Sequence, residues 1–297
     1  MRRRLYYCDH HEMGLPPGHK FPARKYRLLR ELLEQENSFE FVAAEPAPLD
    51  AITRVHDRGY VESFLDGSIP YAAMRRIGFP WSESLVRRTL GSVGGTLAAA
   101  MDALESGWGG NLAGGTHHAC RSDGAGFCVF NDIAVAVLSL RECHAIRRVA
   151  ILDLDVHQGD GTARIFENDD MVLTVSIHNR NNFPFRKQPG KIDVDLPDGT
   201  GDSEYLDAVD KVLARVLEFK PEMLYYQSGV DPLAEDRLGR MSLTQTGLAG
   251  RDRRVFAASK AAGIPVAVTL GGGYAEPIEL TAEAHANTFR CALDVFG

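Results

Sequence analysis

The chain has 297 residues, of which 25% are charged and 44% hydrophobic, a balance that excludes disorder and fibrous architecture. Its net charge of −7 argues against broad binding to a phosphate backbone, so nucleic acid is not expected as a partner. At this length one α/β domain over residues 1–297 is the expectation.

The chain opens on Arg2-Arg3-Arg4, but Leu5-Tyr6-Tyr7 runs at once into Cys8-Asp9-His10-His11-Glu12 and leaves no apolar core for a signal peptide. No later apolar run reaches the roughly 18 residues of a membrane span. The five cysteines are odd in number and form no CxxC pair, the usage of reduced thiols, so a cytoplasmic protein is expected. Nothing in the sequence sets an oligomeric state.

After the loop LPPGHKFP, the segment Arg24 to Gln35 carries Leu28, Leu29, Leu32 and Leu33 at helical spacing. A second helix is predicted over Ser84 to Glu105; its Gly91, Gly94 and Gly95 are poor helix formers and point to close packing against another element. Further on, apolar runs predict buried strands at Val149 to Val156, Val172 to Ile177, Met223 to Gln227 and Ile264 to Leu270. Helical patterns lie at Asp132 to Arg141, Glu204 to Phe219, Thr246 to Ala262 and Pro277 to Leu293. This alternation predicts a mostly parallel sheet flanked by helices, with function at the carboxyl ends of the strands.

Four polar loops fall at such ends. In Gly114-Gly115-Thr116-His117-His118-Ala119 a tight turn can aim both imidazoles one way, offering a general base and a second, charged imidazole. In VAILDLDVHQGDGT, Asp153, Asp155 and His157 alternate along the predicted strand and so project to one side, a donor set suited to Zn²⁺, Fe²⁺ or Mn²⁺. The glycines that follow make Asp160 available to orient a histidine, although Asp is also a common helix cap there. In Gln227-Ser228-Gly229-Val230-Asp231-Pro232, Asp231 would complete an Asp-His-Asp set with an open coordination position. Leu270-Gly271-Gly272-Gly273-Tyr274 brings a phenol that can bond a developing oxyanion.

Taken together, GTHHA, GFCVFND, LDLDVHQGDGT, VSIH, SGVDP and LGGGY resemble the zinc-dependent histone deacetylases and their bacterial relatives over roughly residues 110 to 280, and the short length with the segment HNRNNFP at His178 to Pro184 looks closest to the class IV deacetylases. The resemblance implies a three-layer arginase/deacetylase-like fold. It implies Zn²⁺, with Fe²⁺ as the other ion to consider, on Asp155, His157 and Asp231. His118 would be the general base, His117 its partner imidazole, and Asp153 and Asp160 the carboxylates accepting from the two rings. Tyr274 would donate to the oxygen of the tetrahedral intermediate. Gly126, Phe127, Phe183, Leu238 and Gly272 would line the substrate channel. A potassium ion would sit at Asp153, Asp155, His157, Ser176 and Ile177, and Arg24 resembles an arginine of the internal channel near the acetate exit.

Two departures bear on substrate. The region Ile77-Gly78-Phe79-Pro80-Trp81 lacks the aspartate with which many family members grip a peptide backbone. Relatives that take acetylpolyamines carry a rim glutamate where this chain has Leu238, which favours an acylated lysine or similar small acylated amine. Beside deacylation stand acetylpolyamine or other small-amide hydrolysis, amidine hydrolysis by a binuclear manganese site on the same architecture, and a module that binds acylated amines without turning them over.

Overall fold

The computed structural model describes residues 2–143 and 146–297. The elements run β1 (Arg3–Tyr7), α1 (Arg24–Glu34), β2 (Phe39–Ala43), α2 (Leu49–Val55), α3 (Arg58–Asp66), α4 (Tyr71–Ile77), α5 (Glu83–Ser106), β3 (Trp108–Asn111), α6 (Asp132–Cys143), β4 (Val149–Asp153), α7 (Asp160–Ile165), β5 (Val172–Asn179), β6 (Ile192–Leu196), α8 (Asp202–Phe219), β7 (Met223–Gln227), α9 (Gln245–Ala262), β8 (Val266–Thr269) and α10 (Ile278–Phe296).

The strands form one eight-stranded sheet in the order β2-β1-β3-β8-β7-β4-β5-β6, and every neighbouring pair is parallel. Such a sheet must be covered on both faces, and its alternating side chains divide between two cores. In β4, Val149 and Ile151 join one apolar cluster while Ala150 and Leu152 join the other; in β7, Tyr225 joins the first while Leu224 and Tyr226 join the second. This is the α/β architecture expected of the family named above.

Chain order and spatial order differ in a way that builds a site. The strands β3, β8, β7 and β4 lie side by side, and each of the four polar loops leaves the carboxyl end of one of them. Four segments distant in sequence thereby meet above the middle of the sheet, where α/β proteins bind ligands.

The glycines of α5 do what their spacing predicted. A Cβ on Gly94 would lie 1.8 Å from the carbonyl oxygen of Glu45, and one on Gly95 2.6 Å from Asn111 Oδ1. The helix thus lies directly against the 44–47 segment and β3, an approach that any side chain would block.

Some predicted boundaries move. The strand expected to reach Val156 ends at Asp153, because Asp153 Oδ1 accepts from the amide of Asp155 at 3.1 Å and turns the chain out of the ladder. Asp155 and His157 therefore reach the same side by a turn, not by strand alternation. The strands β1, β2, β3 and β6 and the helices α2, α3 and α4 carry no periodic pattern that announces them. In β3, Trp-Gly-Gly-Asn has weak strand propensity and is held by pairing with β1 and β8.

One buried histidine ties the α2–α3 region to the site. The His56 ring is 2% exposed; its Nδ1–H donates to Cys120 O at 2.8 Å, and its Nε2 accepts from the amide of Asn131 at 2.9 Å. Burial lowers its pKa from 6.5 to about 4. As pH falls below 6.5 the unfolded chain protonates this ring first, so stability from this group is complete above 6.5 and declines toward pH 4, by on the order of 3 kcal/mol. Urea midpoints measured at pH 7 and pH 4.5 should fall steeply in the wild type and less in His56→Gln; equal declines would remove His56 from the acid response.

Candidate metal centre and its pocket

The centre begins with the turn after β4. Asp155 Oδ1 lies 3.0 Å from His157 Nδ1, and Asp231 Oδ2, brought in from the end of β7, lies 3.1 Å from the same nitrogen. All three side chains are interior, with Asp155 at 1% and Asp231 at 0% exposure. Backbone amides hold the carboxylates: Gly272 N donates to Asp155 Oδ2 at 2.6 Å, and Val156 N to Asp231 Oδ1 at 2.8 Å. A Cβ on Gly272 would lie 1.9 Å from Asp231 Oδ2, so only glycine lets the β8 loop come this close.

Two buried carboxylates this close repel each other. Burial, and then the charge of Asp155, push Asp231 up to about 7. Burial opposes charge on His157, yet Asp155 and Asp231 outweigh it and lift the ring to about 10. The centre thus draws positive charge to itself, and among the described residues these three are the group whose donor atoms could hold a metal ion. Their chemistry, two carboxylates and one imidazole, fits a divalent transition ion.

Next to it stand the two histidines of the turn after β3. Asp132, at the start of α6, fixes that turn: its Oδ2 accepts from Gly115 N at 3.0 Å and its Oδ1 from Thr116 N at 2.7 Å. The His117 Nδ1–H donates to Asp153 Oδ2 at 2.6 Å, and the His118 Nδ1–H to Asp160 Oδ1 at 2.6 Å. Both rings therefore turn Nε2 away from their carboxylates. Their charges diverge. For His117, burial opposes protonation, but Asp153 and Asp155 raise it to about 9; for His118, burial and the neighbouring His117 lower it to about 4 despite Asp160. Asp160 occupies the first position of α7, so it serves as a helix-start residue and as the acceptor for His118.

Tyr274 ends the β8 loop, 7% exposed, and burial raises its phenol well above the usual range, so the hydroxyl keeps its proton. Its amide donates to Asp236 Oδ2 at 2.5 Å, while Asp236 Oδ1 accepts from Leu238 N and Gly239 N, both at 2.8 Å. Asp236 thus fastens the Tyr274 loop to the loop that carries Leu238.

These groups border a pocket of about 460 Å³ reaching from Asp155 and His157 past His118, Gly126, Phe127, Phe183, Gly272 and Tyr274 to Leu238 and Phe185. Phe183 meets the His118 ring edge-on at 4.8 Å between centroids, and Phe127 lies 6.2 Å from the Tyr274 ring. Phe127 has φ of 66°, a left-handed conformation rare for an aromatic residue, held by its amide bond to Ile77 O at 2.7 Å. At the mouth, Phe185 is 85% exposed. Of the residues expected around potassium, Asp153 sits opposite Ser176 in the β4–β5 register, with Ile177 next along β5.

Arg24 does not face the interior. Its side chain is 69% exposed and pairs with Glu279 on the surface. The buried cation of α1 is Lys25, 1% exposed, whose ammonium donates to Gly271 O at 3.2 Å and Gly273 O at 3.4 Å and lies 5.3 Å from the Tyr274 ring centre. Burial lowers it to about 8. Lys25 shares its stripe with the buried Leu29 and Leu33, whereas Arg24 shares one with the half-buried Leu28 and Leu32, so spacing alone does not choose between the two cations. Asp132, at the start of α6, and Asp236, in a loop, carry no spacing signal of their roles.

With this geometry in view, comparison with known proteins is specific. The profile of the histone deacetylase domain matches residues 19–290. A protein of Picosynechococcus sp. whose name records no activity is 43% identical over 286 residues, 95% of each chain. Histone deacetylase 2 of Arabidopsis thaliana is 32% identical over 281 residues, 88% of this chain and 71% of that one. A histone deacetylase-like amidohydrolase of Pseudomonas aeruginosa is 33% identical over 285 residues, 87% and 73%.

Proposed function

The chain belongs to the histone deacetylase family and is a hydrolase of amide bonds, and from that premise we propose that it removes acyl groups from lysine-like amines with the aid of zinc held by Asp155, His157 and Asp231. The observation that carries this reading is the convergence of that donor set with His118 and Tyr274 on one apolar-walled pocket. A bound divalent ion would polarise the amide carbonyl and acidify a water beside it.

The chain's own groups supply the rest. His118, its Nδ1–H committed to Asp160, offers Nε2 as the base that takes a proton from the attacking water and then delivers it to the leaving nitrogen as the C–N bond breaks. His117, bonded to Asp153, stays charged beside it and favours negative charge on the reacting carbon's oxygens. Tyr274 donates its O–H to the former carbonyl oxygen. Phe127 and Phe183 flank an alkyl stem and keep water from it. Potassium would be held by Asp153, Asp155, His157, Ser176 and Ile177, a reading supported by the β4–β5 register.

The pocket wall favours acyl-lysine over acylated polyamines. Its one carboxylate is Asp155 of the ligand set, its mouth carries Lys20 and Leu238, and a polycation would meet no counter-charge there. The test is release of amine from acetyl-lysine peptide, longer acyl-lysine peptides and acetylputrescine by one metal-loaded preparation. Turnover of the lysine substrates above acetylputrescine is expected; release from none of them despite bound metal would leave a binding module. Tyr274→Phe should lower turnover by roughly 10²-fold with metal content unchanged, and near wild-type turnover would take the phenol out of the reaction.

A further inference from the structure

Beyond the main pocket lies a second, inner cavity of about 60 Å³, which shares Phe21, Tyr26, Gly114, Thr116 and Phe127 with it as common wall. Most of its lining is apolar, including Phe79, Leu85 and Val93. Beside Thr116, the polar part of the wall is a patch on α5. Arg88 and Ser92, four residues apart, share one helix face and both line the cavity, with Thr89 beside them.

Arg88 is 7% exposed, and its guanidinium carbon stands 4.4 Å over the Tyr26 ring. No carboxylate among the described residues forms an ion pair with it. A buried guanidinium without a counter-ion is costly, and its five donors suit a planar carboxylate. The surroundings add donors. Ser92 Oγ already accepts from Gly114 N at 3.1 Å, which leaves its O–H to donate, and burial lifts the Tyr26 phenol to about 12, so that hydroxyl also keeps its proton. Lys25 Nζ, 5.2 Å from the Tyr26 ring centre, adds to the cationic character of this region.

We propose that the inner cavity is a carboxylate subsite, in which Arg88 and Ser92 bind the terminal carboxylate of a short dicarboxylic acyl group, such as succinyl, carried by the substrate amine. The proposal rests on the amide-hydrolase reading above. Water adds its oxygen to the acyl carbon, the C–N bond breaks, the nitrogen takes the proton, and the products are a dicarboxylate and a free amine. The volume, roughly that of two water molecules, admits a carboxylate at the end of a short chain and excludes a fatty acyl tail.

Succinyl-lysine and butyryl-lysine peptides of one sequence, equal in chain length and differing in charge, are compared by kcat/KM on wild type, Arg88→Gln and Arg88→Lys. The wild type should prefer succinyl by about tenfold or more, Arg88→Gln should erase the preference, and Arg88→Lys should restore part of it. A wild type that favours butyryl overturns the proposal whether or not the variants fold. So does a preference that survives in Arg88→Gln, or an Arg88→Gln effect confined to inhibition by free acetate, which would assign the guanidinium to the departing product. Failure to release amine from any acyl-lysine, acetyl included, would instead strike the hydrolase reading itself.

Discussion

Asp155→Ala is expected to abolish both metal retention and turnover. The Asp155 carboxylate is shared: Oδ1 faces His157 Nδ1 at 3.0 Å and Oδ2 accepts the Gly272 amide at 2.6 Å. Its removal leaves one carboxylate and one imidazole, too few donors for tight binding of a divalent ion. It also leaves the Gly272 N–H without its acceptor, at a cost of about 1–3 kcal/mol. Metal per chain by inductively coupled plasma mass spectrometry, read beside acyl-lysine turnover on the same sample, checks it. Full metal content with retained activity would exclude Asp155 from the ligand set.

His118→Ala should separate what Asp155→Ala joins: turnover falls by roughly 10²-fold or more, while the metal stays. The ring bonds Asp160 and is not one of the three grouped donors, its centroid standing 6.0 Å from that of His157, so the donor set should keep its geometry. Loss of the ring takes away the Nε2 acceptor on the pocket side. Its Asp160 partner is 23% exposed at the side chain, so water can satisfy the freed carboxylate and the fold should survive. Metal analysis and a thermal melt establish that survival, and single-turnover kinetics locate the loss in the chemical step. A variant that keeps near wild-type rates would hand the proton transfer to another group, and His117, engaged with Asp153, is the first to examine.

Much of the site was readable because its chemistry is concentrated in short motifs. Asp155 with His157, the His117–His118 pair and the GGGY turn are residue types with few other uses at those spacings, and apolar runs place the first and the last at the ends of strands, whereas β3, ahead of the histidine pair, has none. Asp153, Asp155 and His157 do not share one geometric cause, however. Strand alternation accounts for Asp153, while a local bond from the Asp155 amide to Asp153 Oδ1 turns the remaining two inward. Arg24 is implied by the resemblance alone, and the stripe that is fully buried in α1 carries its neighbour Lys25 instead. Arg88, Asp132 and Asp236 were not legible, since each acts through a partner from a distant element: Tyr26 of α1, the Gly115 and Thr116 amides, and the Tyr274 amide.

The edges of the sheet follow the same logic. β6 reads Ile-Asp-Val-Asp-Leu because, as an edge strand, it shows one row of side chains to water. Strands β4 and β7, in the middle, are buried along their whole length.

The double grip of Asp236 has a practical consequence. One carboxylate moors both the lip of the opening and the phenol at its floor, so the two cannot be adjusted independently. Anyone reshaping this enzyme by exchanging the Leu238 segment to admit a bulkier or more polar cargo should find reaction velocity shifting along with preference. Selectivity and speed here hang from a common hinge pin.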